Sequence, residues 1–509
     1  PLGNESEKEF DVLGNLTWQM NPNGEQTSFE YDLLNRLIRQ IDPLEGETSY
    51  TYDAVGNRLT ITDPNNHTTA TTYDALNRPV VSTNAKGYSS SQEYDEAGNL
   101  MYTEDAFGEM TFFAYDELNR QTQIQDPLEN VTQYDYDANG NRIAMTDANG
   151  VVTRYEYDSM GRLRAVVENY KPGFEADAET NVRTEYTYDL NGNRLTITDG
   201  NGYTSQFTYD ELNRLRTESD PLGNTWTYGY DAVGNRSYLL DANSRVTVYD
   251  YNENNQLTFI DYLDNDMDVS FDYDEAGRRV AMEDGWGSTS WDYDDLGRPT
   301  AITDPFGDTV GYSYDAAGNR TGLIYPDGKQ VQYAYDPLNL LAEVTDWNEE
   351  STTYTYDANE QLDQVSRPNG IISQYDYDPA GRVTQIQHAT EGGGELPWGE
   401  LLGESTSSFQ YAYDGVGNRV QAIETFAGAG QAGPTVLVTA TNSSGIPMIG
   451  KAIYVFDGTT YTGYHATTDE NGQASITLPE GNYRFRLDVD GTQFWSGEEN
   501  HCQIAGCTD

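Results

Sequence analysis

The chain has 509 residues, with 84 Asp or Glu against 29 Lys or Arg, for a formal net charge of −55. That charge excludes a phosphate backbone or an anionic lipid surface as the main partner, since both are bound by basic surfaces. Forty tyrosines and an aromatic fraction of 12% exclude a disordered acidic tail, and an apolar fraction of only 36% leaves much of the burial to tyrosine rings.

A Tyr-Asp pair recurs from the start of the chain. A variant at Phe10 is followed by Tyr31, Tyr52, Tyr73, Tyr94, Tyr115, Tyr136 and Tyr157. The series resumes at Tyr188, Tyr209, Tyr230, Tyr251 (before Asn252), Tyr273, Tyr293, Tyr314, Tyr335, Tyr356, Tyr377 and Tyr413. Of the eighteen intervals between these nineteen cores, fourteen are 21 residues, so the units should stack in a fixed register. Within one unit, Ser49–Asp53 alternates, Ala54–Asn57 turns, Arg58–Thr62 alternates again and Asp63-Pro64-Asn65-Asn66 turns back. Period-2 alternation bounded by Gly, Asn, Asp and Pro predicts two short antiparallel strands per repeat, with Pro at the second position of a type I turn. No segment sustains a helical period, and no apolar run is long enough to span a membrane as a helix.

Sixteen of the nineteen cores carry another aromatic residue two positions earlier, such as Tyr50, Phe207 and Trp291. Residues i and i+2 share a strand face, so one face should be a ring ladder and the other Thr, Ser, Gln, Glu and Asp. A sheet this long and this one-sided is expected to curl into a tube or shell wall, with its rings pointing inward. The turns alternate between Gly-Asn-Arg (Gly56-Asn57-Arg58) and Leu-Asn-Arg (Leu76-Asn77-Arg78), which points to a deeper period of 42 residues. The repeated Arg is expected to pair with neighbouring Asp. Insertions around 167–184 and 388–408 both fall in the Asp-Pro class of turn, so those turns should line one exposed rim.

The motif Tyr-Asp-x-x-Gly-Asn-Arg-Leu-x-x-x-Asp-Pro, complete at 52–64, and the Asp-Pro-x-Gly turn at 220–223 resemble the tyrosine-aspartate (YD) or RHS repeat. The resemblance covers roughly residues 1–425. It implies a spiralling strip of β-hairpins, as in teneurins and the casings of insecticidal toxin complexes. The Asp-Pro-x-Gly-Arg-Phe core and the toxin domain of the toxin members do not occur in the sequence.

Past the Gly/Ala-rich stretch 426–433, read as a linker, residues 434–509 lose the period. Short alternating segments around Gly445-Ile446-Pro447, Thr468-Asp469-Glu470-Asn471-Gly472 and Leu478-Pro479-Glu480-Gly481-Asn482-Tyr483 predict a small β-sandwich. Their order is similar to that of carboxypeptidase-regulatory-like, prealbumin-type Ig-like domains, which are non-catalytic spacer and adhesion modules in extracellular proteins. Cys502 and Cys507 are read as a disulfide; with His501 they could form a metal site only if a fourth ligand joined them.

Other chemistry is sparse. Asp135-Tyr136-Asp137-Ala138-Asn139-Gly140 imitates the start of a calcium loop, but Thr146 stands where the acidic twelfth ligand belongs, so Asp137 is assigned to its turn. His67, His388, His465 and His501 stand in unrelated contexts, and no catalytic arrangement is expected. No cofactor is expected beyond weak calcium on the acidic surface. The overall expectation is a non-enzymatic extracellular or cell-surface structural protein that assembles head-to-tail into a filament. Pro1 lies nine residues before Phe10, within a truncated Asp-Pro turn, and that first hairpin is expected to be completed by another subunit. The alternatives are a casing fragment of a secreted RHS/YD toxin, or an adhesin binding glycans or cells; nucleic acid and membrane insertion are not expected.

Overall fold

The computed structural model describes residues 5–263, 267–390, 405–426, 435–439, 448–457, 460–471, 473–477, 482–489, 492–495 and 502–503. Among these residues every regular element is a strand, and the repeats supply 38 strands of one antiparallel sheet. The chain divides into two compact units, Pro1–Glu350 and Ser351–Asp509.

In the first unit each strand pairs antiparallel with the next along the chain, as Glu47–Tyr52 does with Arg58–Thr62 and Arg58–Thr62 with Thr68–Tyr73. The register is set by alternation. Tyr50 faces Ile61, Tyr134 faces Met145 and Tyr228 faces Leu239, so these rings meet an apolar neighbour across the strand, while Phe29 and Phe207 face Gln40 and Glu218. On the other face Thr-Thr pairs such as Thr51 and Thr60 (2.6 Å) hydrogen-bond to each other. The rings are half-buried rather than sealed; Ala165, Val167 and Val331 are this unit's fully buried apolar residues among those described. The ring ladder is thus a one-layer core, held by its neighbours along the strip.

Each Tyr-Asp strand slips register by one residue at its tyrosine, as between Thr51 and Tyr52, where a type I turn closes through a residue in the left-handed region. That residue is Gly56 (φ 104°) in one kind of turn and Asn77 (φ 63°) in the other. The Asp-Pro turns are type I as well, with Glu45 N–H donating to Asp42 C=O at 3.1 Å. The insertion after Glu168 leaves and rejoins the ladder without a slip, since Glu168 faces Val182.

In the second unit, hairpin strands continue from Ser351–Tyr356 to Arg419–Phe426, and the last three lengthen to eight or nine residues. A smaller part follows as two sheets. Thr435–Thr439 pairs with Gln473–Thr477, while Ala452–Asp457 pairs with Thr460–Thr467 and with Asn482–Val489. Ile453 and Val455 from one sheet and Ala474 and Ile476 from the other share a buried core.

Candidate functional site: the turn rows and their seam

The repeat motif builds its chemistry at the turns. Asp32 Oδ1 accepts the backbone N–H groups of Leu34 (2.8 Å) and Arg36 (3.0 Å), while Oδ2 accepts from Arg36 Nε (2.7 Å). The Arg36 amide and guanidinium hold the Asp32 carboxyl below the usual range. Arg36 then reaches into the next repeat, donating from Nη1 to Asp53 C=O at 2.6 Å and covering the Tyr52 ring at 4.8 Å. Tyr52 closes the link by donating from its hydroxyl to Leu37 C=O at 2.7 Å. One clasp therefore ties Asp, Arg and Tyr of two adjacent repeats, and it recurs at Arg120, Arg162 and Arg214; at Arg78 the guanidinium bond recurs, but Gln92 takes the Pro79 carbonyl in place of Tyr94.

The alternate turns use asparagine. Asn57 donates to Asp53 Oδ2 (2.8 Å) and to Asn77 Oδ1 (2.9 Å) of the following repeat. This corrects the expectation that the repeated Arg pairs with Asp in both turn forms. Gly56 is the structural equivalent of Asn77, and Asn57 the equivalent of Arg78, one residue out of step with matching the Asn-Arg pairs. The Arg that pairs with the turn Asp is the one four residues after it, in Leu34-Asn35-Arg36 and in Met160-Gly161-Arg162 alike; the Arg of a Gly-Asn-Arg turn comes one residue later, on the strand, with Arg58 over Tyr50 and Arg194 over Phe207. The 42-residue alternation itself stands, with Arg links at 36, 78 and 120 and Asn links at 57 and 99.

A second set of turn contacts joins residues some 250 positions apart within the first unit. Asn23 donates to Asp274 Oδ2 (3.0 Å) and accepts from Ala276 N–H (2.9 Å). Asn65 donates to Asp315 Oδ2 (3.0 Å), and Lys86 Nζ lies 2.6 Å from Asp336 Oδ2. Arg278 meets Glu25 at 3.1 Å. In every case a turn of the Asp-Pro class in an early repeat meets a Tyr-Asp turn in a late one. From Tyr52 to Tyr314 the step is twelve repeats, so the strip of this unit returns to its own edge after twelve hairpins and hooks onto it. At Asp315 burial works against the charge, but the amides of Asn319 and Asn65 and nearby backbone N–H groups outweigh it and keep the carboxyl below its ordinary range. Burial and Lys86 oppose each other at Asp336 in the same way, with the same outcome. Near its start the seam opens into a cleft of about 530 Å³ lined by Lys8, Gln19, Glu25, Arg278 and Asp295.

Most tyrosines of the repeat take one role, although Tyr94 instead accepts from Gln92 Nε2 (2.9 Å), which donates to Pro79 C=O (2.8 Å). Tyr73, Tyr136, Tyr157, Tyr188, Tyr209 and Tyr230 donate to a carbonyl of the preceding repeat, as do Tyr314 and Tyr335 later in the strip. Asp137 spends its carboxylate on Asn139 and Asn141 of its own turn. His67 lies 3.4 Å from Asp63 in a turn. Cys507 and the side chain of Cys502 lie outside the described residues, as does His501. Among the described residues no group of three or more His, Cys, Asp or Glu is placed to hold a metal ion.

One constellation escaped the sequence reading. Ser373 faces His388 across paired strands of the second unit, with Oγ 2.6 Å from His388 Nδ1, and Arg367 donates to the same Oγ. Burial, then the Arg367 charge, holds the His388 pKa below its ordinary value. Ser373 has no exposed surface, so this pair is closed to substrate. Its only sequence signal is a His and an Arg eleven residues after the repeat tyrosine, where most other repeats carry Asp.

The clasp, the ring ladder and the turn pairing decide the kind of repeat. The RHS Repeat family model matches residues 10–47, 31–68, 52–89, 115–152, 136–169 and 293–330, and the Teneurin YD-shell model matches 174–289. Over those residues the strip is similar to RHS and Teneurin YD-shell repeats. Its fold is that of the crystal structure of TcdB2-TccC3-Cdc42, which is 15% identical with a TM-score of 0.54 over 94% of this chain and 28% of that one. TcdB2-TccC3 without its hypervariable C-terminal region is 14% identical with a TM-score of 0.55, over 95% and 29%. The chain thus spans under a third of the length of those chains. No curated protein matches the chain.

Proposed function

We propose that this chain is a wall segment of the casing of a secreted RHS/YD toxin, extracellular and without catalytic activity of its own. The observation that carries this reading is the seam. A strip that returns after twelve repeats and hooks its early turns onto its late ones encloses a space, which a cell-surface ribbon has no need to do. The likeness in fold to TcdB2-TccC3 supports a casing over a filament-forming matrix protein. In this reading the acidic outer face keeps the wall soluble and the small C-terminal module, of Ig-like type, serves as a spacer. Cys502 and Cys507 would be bonded in that setting, and the partners would be other proteins of a toxin assembly. Cryo-electron microscopy of the purified chain tests the proposal. A hollow profile twelve hairpins around is expected; an open ribbon overturns the casing reading.

A further inference from the structure

The seam uses one edge of each coil and leaves the other two edges uncovered. The early repeats dock their Asp-Pro turn row, so their Tyr-Asp turn row is free; the late repeats dock their Tyr-Asp turns, so their Asp-Pro row is free. Both free rows are apolar. On the first, Leu33 is 101%, Leu34 66% and Val55 73% exposed. On the second, four consecutive turns carry Trp286, Phe306, Tyr325 and Trp347, the first two at 70% and 78% exposure. Docking changes that exposure. Leu296 occupies the same turn position as Leu34, two residues after the Asp, and in the seam it falls to 36%, while Leu338 is half-buried.

The second row only partly shares the seam's own chemistry. At the turn position from which Asn23, Asn65 and Lys86 reach a Tyr-Asp carboxylate, its last two turns hold Asp327 and Asn348, but its first two hold the large rings of Trp286 and Phe306. They match the Leu and Val side chains of the other free row instead. We propose that the two rows dock on each other between copies: the Trp286–Trp347 row of one molecule receives the Val12–Val55 row of a second copy, continuing the seam from one molecule to the next. The inference stands on the seam and not on the casing reading, since it holds for any coil with these edges.

The sizes agree. Turns of one row lie ~9.6 Å apart, two strand spacings, so the four aromatic turns extend over ~29 Å. Covering the exposed part of the four rings removes on the order of 500 Å². With the turn backbones around them this approaches the ~800 Å² per partner of an ordinary stable interface. The contact is heterologous, so each added copy offers the same free row again. At a net charge of −55 the copies repel, and association should strengthen as salt screens them.

The test is sedimentation velocity of the full chain across concentration and salt, with two double variants. Trp286→Asp with Phe306→Asp spoils one row, and Leu33→Asp with Leu34→Asp spoils the other. Wild type should associate, and each variant alone should do so at least ~tenfold more weakly, the usual loss when central aromatic anchors go. An equimolar mixture of the two variants retains one good pair of rows and should stop at dimers. Hydrogen exchange on the wild type serves as a second measurement should a variant misfold, with protection expected at 11–14, 32–35, 53–56 and 284–349 as concentration rises. Monomers at every concentration and salt, association indifferent to both variants, or protection elsewhere would overturn the proposal.

Discussion

Replacing Asn65 with Asp puts a carboxylate where an amide now donates to Asp315 at 3.0 Å, and so sets the seam against itself. Two unit charges at that distance repel by ~1.4 kcal/mol in bulk water and ~5.5 kcal/mol at the effective dielectric of a protein surface. Asp315 is partly enclosed, and relaxation lets the pair move apart, which places the total loss at about 3 kcal/mol at pH 7, including the missing charge-assisted hydrogen bond. Asn65→Ala removes only that bond and should cost ~1.5 kcal/mol. Asn201→Asp is the control, because exposed Asn201 takes the same turn position away from the seam, where its backbone N–H donates to Asp199 Oδ1 at 2.9 Å. Urea titration gives the stabilities, and hydrogen exchange at 63–67 and 315–319 locates the loss. Two carboxylates in one site raise one of their pKa values, so part of the loss should return as pH falls toward 5. Equal costs for Asn65→Asp and Asn201→Asp, with unchanged exchange at the seam, would refute the argument that these distant turns hold the coil together.

Further outcomes follow from the same geometry. Tyr230→Phe should cost ~1 kcal/mol by orphaning Leu215 C=O (2.9 Å), while Tyr230→Ala should cost ~2–4 kcal/mol, as a half-buried ring is lost from beneath Arg214 (4.5 Å); urea midpoints of both separate the terms. Gly56→Ala has open space around its new Cβ but must hold a φ of 104°, so ~1–2 kcal/mol of backbone strain is expected, and Gly56→Asn should be milder, as at Asn77. His388 titrates below its unfolded value, so the unfolded chain takes its proton first. The stability of the second unit should fall as pH drops from about 6.5 toward the folded pKa and then level off. His388→Gln should abolish that slope. The seam carboxylates act lower: their folded pKa values are depressed, so their contribution is intact above about pH 4 and lost as pH falls further. A seam that weakens already at pH 6 in melts followed by exchange would contradict this.

The strip was legible because its period, its ring ladder and its turn residues repeat one local solution, and each copy confirms the last. The same reading gave the Arg of both turn forms one role. Asn-Arg looks like one motif in both, yet the bulge needs its left-handed residue at a fixed distance from Asp, and that geometry makes Gly56 match Asn77. The seam was not legible. Asn23, Asn65 and Lys86 are ordinary turn residues in the sequence, and only the twelve-repeat curvature assigns them partners. Ser373, His388 and Arg367 were hidden for a related reason, since cross-strand register rather than sequence proximity brings them together.

Every seam contact joins a residue at or before Lys86 to one at or after Asp274, while the Lys171–Asp177 loop lies between the two groups. A protease that cuts this exposed loop severs the chain but no clasp of the ladder and no contact of the seam. The two fragments remain joined along both the sheet and the edge, so the nicked protein should sediment as one particle and separate only on denaturing gels. Loop cleavage alone is therefore no way to open this coil, and any opening must work on the seam.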